Sequence, residues 1–95
     1  MDDMFFLACF DIVEDKIRYR AVKILQDYGY RVQKSVFECP GMTEERYLEM
    51  KHRLEDCIDN TLDTVRYYFL CRGCVQKVEY SGIGGPPLNG EFRVI

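Results

Sequence analysis

The chain has 95 residues, 47% of them hydrophobic and 14% aromatic, and a net charge of −3. This is one domain rich enough in apolar residues to pack a core, which excludes a disordered chain, and at this size pairing with a second copy would help its stability. The longest apolar run, Met4 to Phe10, is far too short to span a bilayer and lacks a basic leader or cleavage site, so a soluble, cytoplasmic protein with no membrane role is expected.

Met4 to Phe10 ends in Asp11 and suits a central strand buried on both faces. Asp11, Glu14 and Asp15 follow, and any of them can cap the next helix. In that helix Ile17, Ala21, Ile24, Leu25 and Tyr28 recur at helical spacing as a core stripe, Lys16, Arg20 and Lys23 fall on a separate face, and Gly29 stands where a C-cap belongs. Arg31 to Cys39 is extended, but Val32, Val36 and Phe37 break strict alternation around Lys34-Ser35, which predicts a bulge, a bend or a very tight hairpin. Pro40-Gly41 then punctuates the chain. Thr43 is placed to cap a second helix, with Tyr47, Met50, Leu54, Cys57 and Ile58 along its apolar face. Val65 to Leu70 is a strong strand, Cys71 to Cys74 reads as a turn, and Val75 to Tyr80 is a weaker strand.

The order predicts an α+β sandwich, one sheet with both helices on one face; a bent second strand counted as two makes it a ferredoxin-like βαββαβ fold. The domain is expected to span residues 1–80, and 81–95 to be a Gly/Pro-rich arm ending in a short strand that pairs with a sheet edge, or else a frayed terminus. Some of Phe5, Phe6, Tyr67, Tyr68 and Phe69 would lie on the sheet face away from the helices, for which a face-to-face homodimer is the economical cover.

Charge is unevenly spread: residues 14–34 hold six bases and three acids, whereas 35–64 hold three bases and eight acids. A basic first helix is either a solvated face or a phosphate-binding one. Five cysteines with no export signal are expected to be reduced thiols, mostly buried as small hydrophobes. Cys71 and Cys74 form a C-x-x-C pair, but a structural zinc usually takes four ligands and no second pair is present. Asp11, at a strand's carboxyl end beside basic residues, is either a helix cap or a ligand. One carboxylate per chain is thin for metal catalysis, but a twofold axis would supply a second, and two carboxylates can hold a magnesium ion that keeps several waters.

Three stretches carry a family resemblance. Phe10-Asp-Ile-Val-Glu-Asp-Lys-Ile-Arg18, continuing through Arg20-Ala-Val-Lys-Ile-Leu25, resembles the opening of the CRISPR-associated protein 2 family. Tyr28-Gly-Tyr-Arg-Val-Gln-Lys-Ser-Val-Phe-Glu-Cys39 resembles its second signature, and Val65 to Cys71 with Cys74 and Val78 continues the match in register. The resemblance implies a ferredoxin-like homodimer with a C-terminal strand packed on the other subunit. It also implies a role in CRISPR adaptation, bridging the CRISPR-associated protein 1 integrase and holding prespacer DNA. Several family members are magnesium-dependent nucleases on single-stranded RNA or double-stranded DNA, and manganese is an alternative ion. The resemblance assigns catalysis and metal binding to Asp11 of both subunits. Lys16, Arg18, Arg20, Lys23 and Arg31 would meet nucleic acid, with Phe10 and Phe37 in support; read as a buried strand aromatic, Phe37 is simply core, and Arg18 and Arg31 could pair with Glu14 or Asp15. The family usually has Tyr where Phe10 stands and often an aromatic where Lys34 stands. The rival reading is a generic ferredoxin-like small-ligand or protein-interaction module without nuclease activity.

Overall fold

The computed structural model describes residues 4–79, 81 and 82. The first apolar run forms β1 (Met4–Asp11), which pairs antiparallel with β3 (Val36–Met42) on one side and β4 (Thr64–Leu70) on the other. With β2 (Tyr30–Gln33) at the edge, the sheet runs β2-β3-β1-β4. Alternation along β1 sends Phe6, Ala8 and Phe10 to one face and Phe5, Leu7, Cys9 and Asp11 to the other.

The first face is covered by α1 (Asp15–Leu25) and α2 (Glu44–Cys57). Phe6, Ala8 and Phe10 join Phe37 and Cys39 of β3, Ala21 and Leu25 of α1, and Met50 and Leu54 of α2 in one buried cluster. Burial of each large side chain here is worth about 1.5–3 kcal/mol against leaving it in water. Phe6 stacks on Tyr47 at 4.3 Å, and Tyr47 meets Tyr67 edge-on at 5.6 Å. Thr43 caps α2 as its sequence indicates, its side chain accepting the Arg46 backbone N–H at 3.1 Å. The result is the ferredoxin-like α+β sandwich expected from the element order.

One local expectation is borne out and several others are corrected. The irregular stretch around Lys34-Ser35 is both a hairpin and a bulge: the chain turns there between β2 and β3, and the register shifts between Arg31 and Gln33. Pro40 and Gly41 do not end the strand. They sit inside β3 as two residues opposite Phe5 alone, and Gly41 adopts φ 62°, the left-handed region that a bulge can use and glycine tolerates. Gly29 is not the C-cap of α1, which is Gln26; it is where the chain passes close to β3. No strand forms over the described part of Val75 to Tyr80: Val75 and Gln76 end a short helix, α3 (Arg72–Gln76), which also takes up most of the turn expected at Cys71–Cys74, and residues 77–79 are neither helix nor strand. A strand would set Val75 and Lys77 on one face, whereas the helical turn buries Val75 alone against the sheet. Tyr80 and all of the arm beyond Gly82 lie outside the described residues. The cysteines are less buried than expected: Cys39 is buried, Cys9 and Cys57 are partly so, and Cys71 and Cys74 are exposed.

Candidate carboxylate site and nucleic-acid interface

Asp11 is the last residue of β1, paired with Thr64, and its side chain is exposed. Alternation puts it on the face opposite the helices, at the end of the row Leu7, Cys9, Asp11. It is not a helix cap. The N-cap of α1 is Glu14, whose side chain makes no capping bond, and the acid of the first turn is Asp15. Among the described residues the Asp11 carboxylate meets no hydrogen-bond or ion-pair partner, so its lone pairs are available to an outside ligand. Among the same residues no three His, Cys, Asp or Glu side chains converge as a metal site.

The corner that follows is held from two sides. Arg18 donates from Nε and Nη2 to the Ile12 carbonyl at 3.2 and 2.9 Å and from Nη2 to the Val13 carbonyl at 3.2 Å, while Nη1 pairs with Asp15 at 2.5 Å. From the other side, Asp63 Oδ1 accepts the Val13 N–H at 3.0 Å and Oδ2 accepts the Asp59 N–H at 2.9 Å. Asp59 in turn accepts from the Thr61 hydroxyl at 2.7 Å and the Thr61 N–H at 2.9 Å, which hold its carboxyl below the usual carboxylate range. The backbone after Asp11 is therefore tied both to its own helix and to the α2–β4 loop. The guanidinium of Arg18 is committed to this corner, with Asp15 as the partner its sequence neighbours offered.

Lys16, Arg20 and Lys23 stand exposed on α1. Lys16 and Arg20 line a shallow groove with Asp15 and Tyr19, and Lys23 Nζ sits 5.5 Å from the Tyr19 ring centre. Among the described residues none of these three cations is in an ion pair. Arg31 lies elsewhere: its guanidinium is 5.8 Å over the Phe37 ring, on the helix side of edge strand β2 and so across the sheet from Asp11. Phe10 and Phe37 are core side chains, their rings 6.4 Å apart.

Two participants escaped the sequence reading. Asp63 lies fifty residues from the peptide it holds, and its only local signal was the spacing Asp59-x-Thr61-x-Asp63, typical of a side-chain-stabilised turn. Arg66 stands opposite Cys9 on the same sheet face as Asp11, and a hydrogen bond to Tyr68 favours its charged form. The phase of β4 would have placed it there.

The family described as CRISPR associated protein Cas2 matches residues 4–78, from the first residue of β1 to just beyond α3. The chain belongs to this Cas2 family. A relative from Chloroflexus aurantiacus named CRISPR-associated endoribonuclease Cas2 1 is 39% identical over 85 residues, covering 88% of this chain and 90% of that one. Streptococcus pyogenes Cas2, crystallised at pH 6.5, superposes with a TM-score of 0.74 at 36% identity over 83% of this chain and all of that one. A chain of a partial Cas6-RT-Cas1–Cas2 complex gives 0.70 at 29% identity, covering 81% of this chain and 89% of that one. The Cas2 match contains the Asp11 corner, the cations of α1 and both signature stretches. Among the described residues no helix is long and apolar enough to cross a membrane.

Proposed function

We propose that this Cas2 chain works as a homodimer in CRISPR adaptation, holding nucleic acid and bridging the Cas1 integrase, with a metal-dependent endonuclease activity centred on Asp11. The observation that carries the reading is the set of cations Lys16, Arg20 and Lys23 on the exposed side of α1, none of them in an ion pair among the described residues, in a chain whose net charge is −3. Such an array takes phosphate backbone without regard to sequence. Partnership with Cas1 is supported by the complex that holds a structurally similar Cas2 chain. Nuclease activity is supported by the name of the Chloroflexus relative.

The dimer would join the sheet faces that carry Leu7, Cys9 and Tyr68, the last 45% exposed in the single chain. Asp11 ends that face, so a twofold axis near it would set two carboxylates toward each other. An accessible, unpaired carboxylate from each copy suits magnesium or manganese, ions held by one or two carboxylates and water. When bound, the ion would activate water and offset charge on a phosphodiester. The chain's own residues then divide the work: Lys16, Arg20 and Lys23 grip phosphates, Arg18 fixes the backbone beside Asp11, and Phe10 and Phe37 support β1 and β3 from the core. Arg31, exposed at β2, would meet a more distant part of the same strand.

Asp11→Asn keeps the shape and removes the charge. Cleavage of RNA or DNA is expected to fall at least roughly 100-fold, the scale of losing a positioned charge-stabilising group, while DNA binding and spacer acquisition persist. A wild-type protein that cuts neither nucleic acid across magnesium, manganese and pH would overturn the endonuclease part. Separately, each of Lys16→Ala, Arg20→Ala and Lys23→Ala is expected to reduce the slope of log affinity against log salt for duplex DNA by about 0.9. An unchanged slope would move the interface off α1.

A further inference from the structure

The Cas2 reading leaves the C-x-x-C pair without a task. Cys71 and Cys74 flank the start of α3, both exposed, with their Sγ atoms 3.3 Å apart in a thiol–thiol hydrogen bond. We propose that Cys71 and Cys74 form a reversible redox pair that exchanges with low-molecular-weight disulfides of the glutathione type.

Three observations favour this over inert thiols. The first is reach: a disulfide needs the sulfurs at about 2.05 Å, and this pair is already in contact on one turn of chain. The second is division of labour within the pair. The Cys74 backbone N–H, then the Cys74 thiol, stabilise the Cys71 thiolate and hold that thiol below its usual range, while the hydrogen bond to Cys71 holds Cys74 above it. An attacking thiolate beside a thiol that resolves the mixed disulfide is the arrangement exchange requires. The third is contrast with the other cysteines. Burial pushes Cys39 up to about 12 and also raises Cys9 and Cys57, so three of the five thiols are protected and the exposed two are adjacent.

The chemistry balances without a metal. The Cys71 thiolate attacks one sulfur of the small disulfide, forming a mixed disulfide and releasing one small thiolate. Cys74 then gives its proton to that thiolate and attacks Cys71 Sγ, releasing the second small thiolate. The protein dithiol is oxidised by two electrons, and one small disulfide is reduced to two thiols. Because α3 packs on β1 and β4, the oxidised form would pin the segment that follows β4.

The full-length reduced protein, incubated with glutathione disulfide and digested under acid quench, is expected to yield a linked Cys71–Cys74 peptide that reverts with excess glutathione. Iodoacetamide at neutral pH is expected to label Cys71 about tenfold faster than Cys9 or Cys57, following its thiolate fraction. Cys74→Ser should stop at a mixed disulfide on Cys71 that Cys74 can no longer resolve, and Cys71→Ser should leave Cys74 slow to react. Oxidation that instead links other cysteines or separate chains, or equal labelling of all exposed and half-buried thiols, would overturn the proposal. So would a wild-type pair that remains dithiol at a large excess of glutathione disulfide.

Discussion

Replacing Gly29 with alanine is expected to destabilise the fold by about 3 kcal/mol, the upper end of the cost of overpacking a rigid site. A Cβ there would lie 2.1 Å from the Glu38 carbonyl oxygen and 2.8 Å from both the Glu38 carbonyl carbon and Cys39 Sγ. The obstacle is backbone, and it belongs to β3, which is paired on both edges. Neither side can give without opening the sheet or lifting the end of α1 away from it. Urea unfolding should show the midpoint falling with little change in slope, and the melting temperature should drop by roughly 12–24 °C at 4–8 °C per kcal/mol. Gly73→Ala is the internal control, since a Cβ there meets nothing within 4 Å. Inside α3 it should leave stability unchanged or raise it by about 0.5–1 kcal/mol. A Gly29→Ala protein within about 0.5 kcal/mol of wild type, inside the scatter of ordinary surface substitutions, would mean that β3 yields at this point.

Gly29 also shows what a single sequence conveys. Its position after an apolar helical stripe suggested a helix end there, whereas α1 stops at Leu25 with Gln26 as its cap, because a C-cap glycine and a close-approach glycine look alike until the neighbouring strand is placed. Periodicity carried most of the fold. The double-phase apolar run of β1, the stripe of α1 and the Thr43 cap all came through, since each is decided by residues close in the chain. Pro40-Gly41 misled because punctuation residues end a strand in most contexts, whereas pairing of β3 with β1 absorbs them as a bulge. The stretch from Val75 misled because five or six residues with two valines fit either period, and its start belongs to the end of α3. At the site, Asp11 was legible from its place in the motif and the cations of α1 from their spacing. The carboxylate's freedom was not, because it depends on Glu14 being the N-cap and on no side chain from β4 reaching it. Arg18 looked like one more cation of the basic helix until its guanidinium was found on the Ile12 and Val13 carbonyls.

Asp63→Ala is expected to cost about 3 kcal/mol, because two backbone N–H groups lose a charged acceptor whose hydrogen bonds are worth roughly 1.5–3 kcal/mol each when no other partner intervenes. Asp63 is the only charged side chain among the described residues that is buried, and its two oxygens hold Val13 and Asp59, which lie on separate loops. Asp63→Asn should cost about half as much, since the amide oxygen can keep one bond while its NH2 faces the other N–H. The amides of Val13 and Asp59 should lose protection from hydrogen exchange in the alanine variant while the core of β1 stays protected. The corner beside Asp11 would then lose one of its two side-chain ties, so the proposed cleavage, assayed at a temperature where the variant is fully folded, should fall although the carboxylate itself is intact. Arg18→Gln tests the arrangement from the other side. Because Arg18 and Asp63 grip the same Ile12–Val13 peptide unit, one by the Ile12 carbonyl and the other by the Val13 N–H, the double variant should lose a different amount from the sum of the two single losses, by about 0.5 kcal/mol or more. Strict additivity, or an Asp63→Ala protein that keeps a protected Val13 amide, would show that the corner is shaped by the β1–β4 pairing and that these two side chains only decorate it.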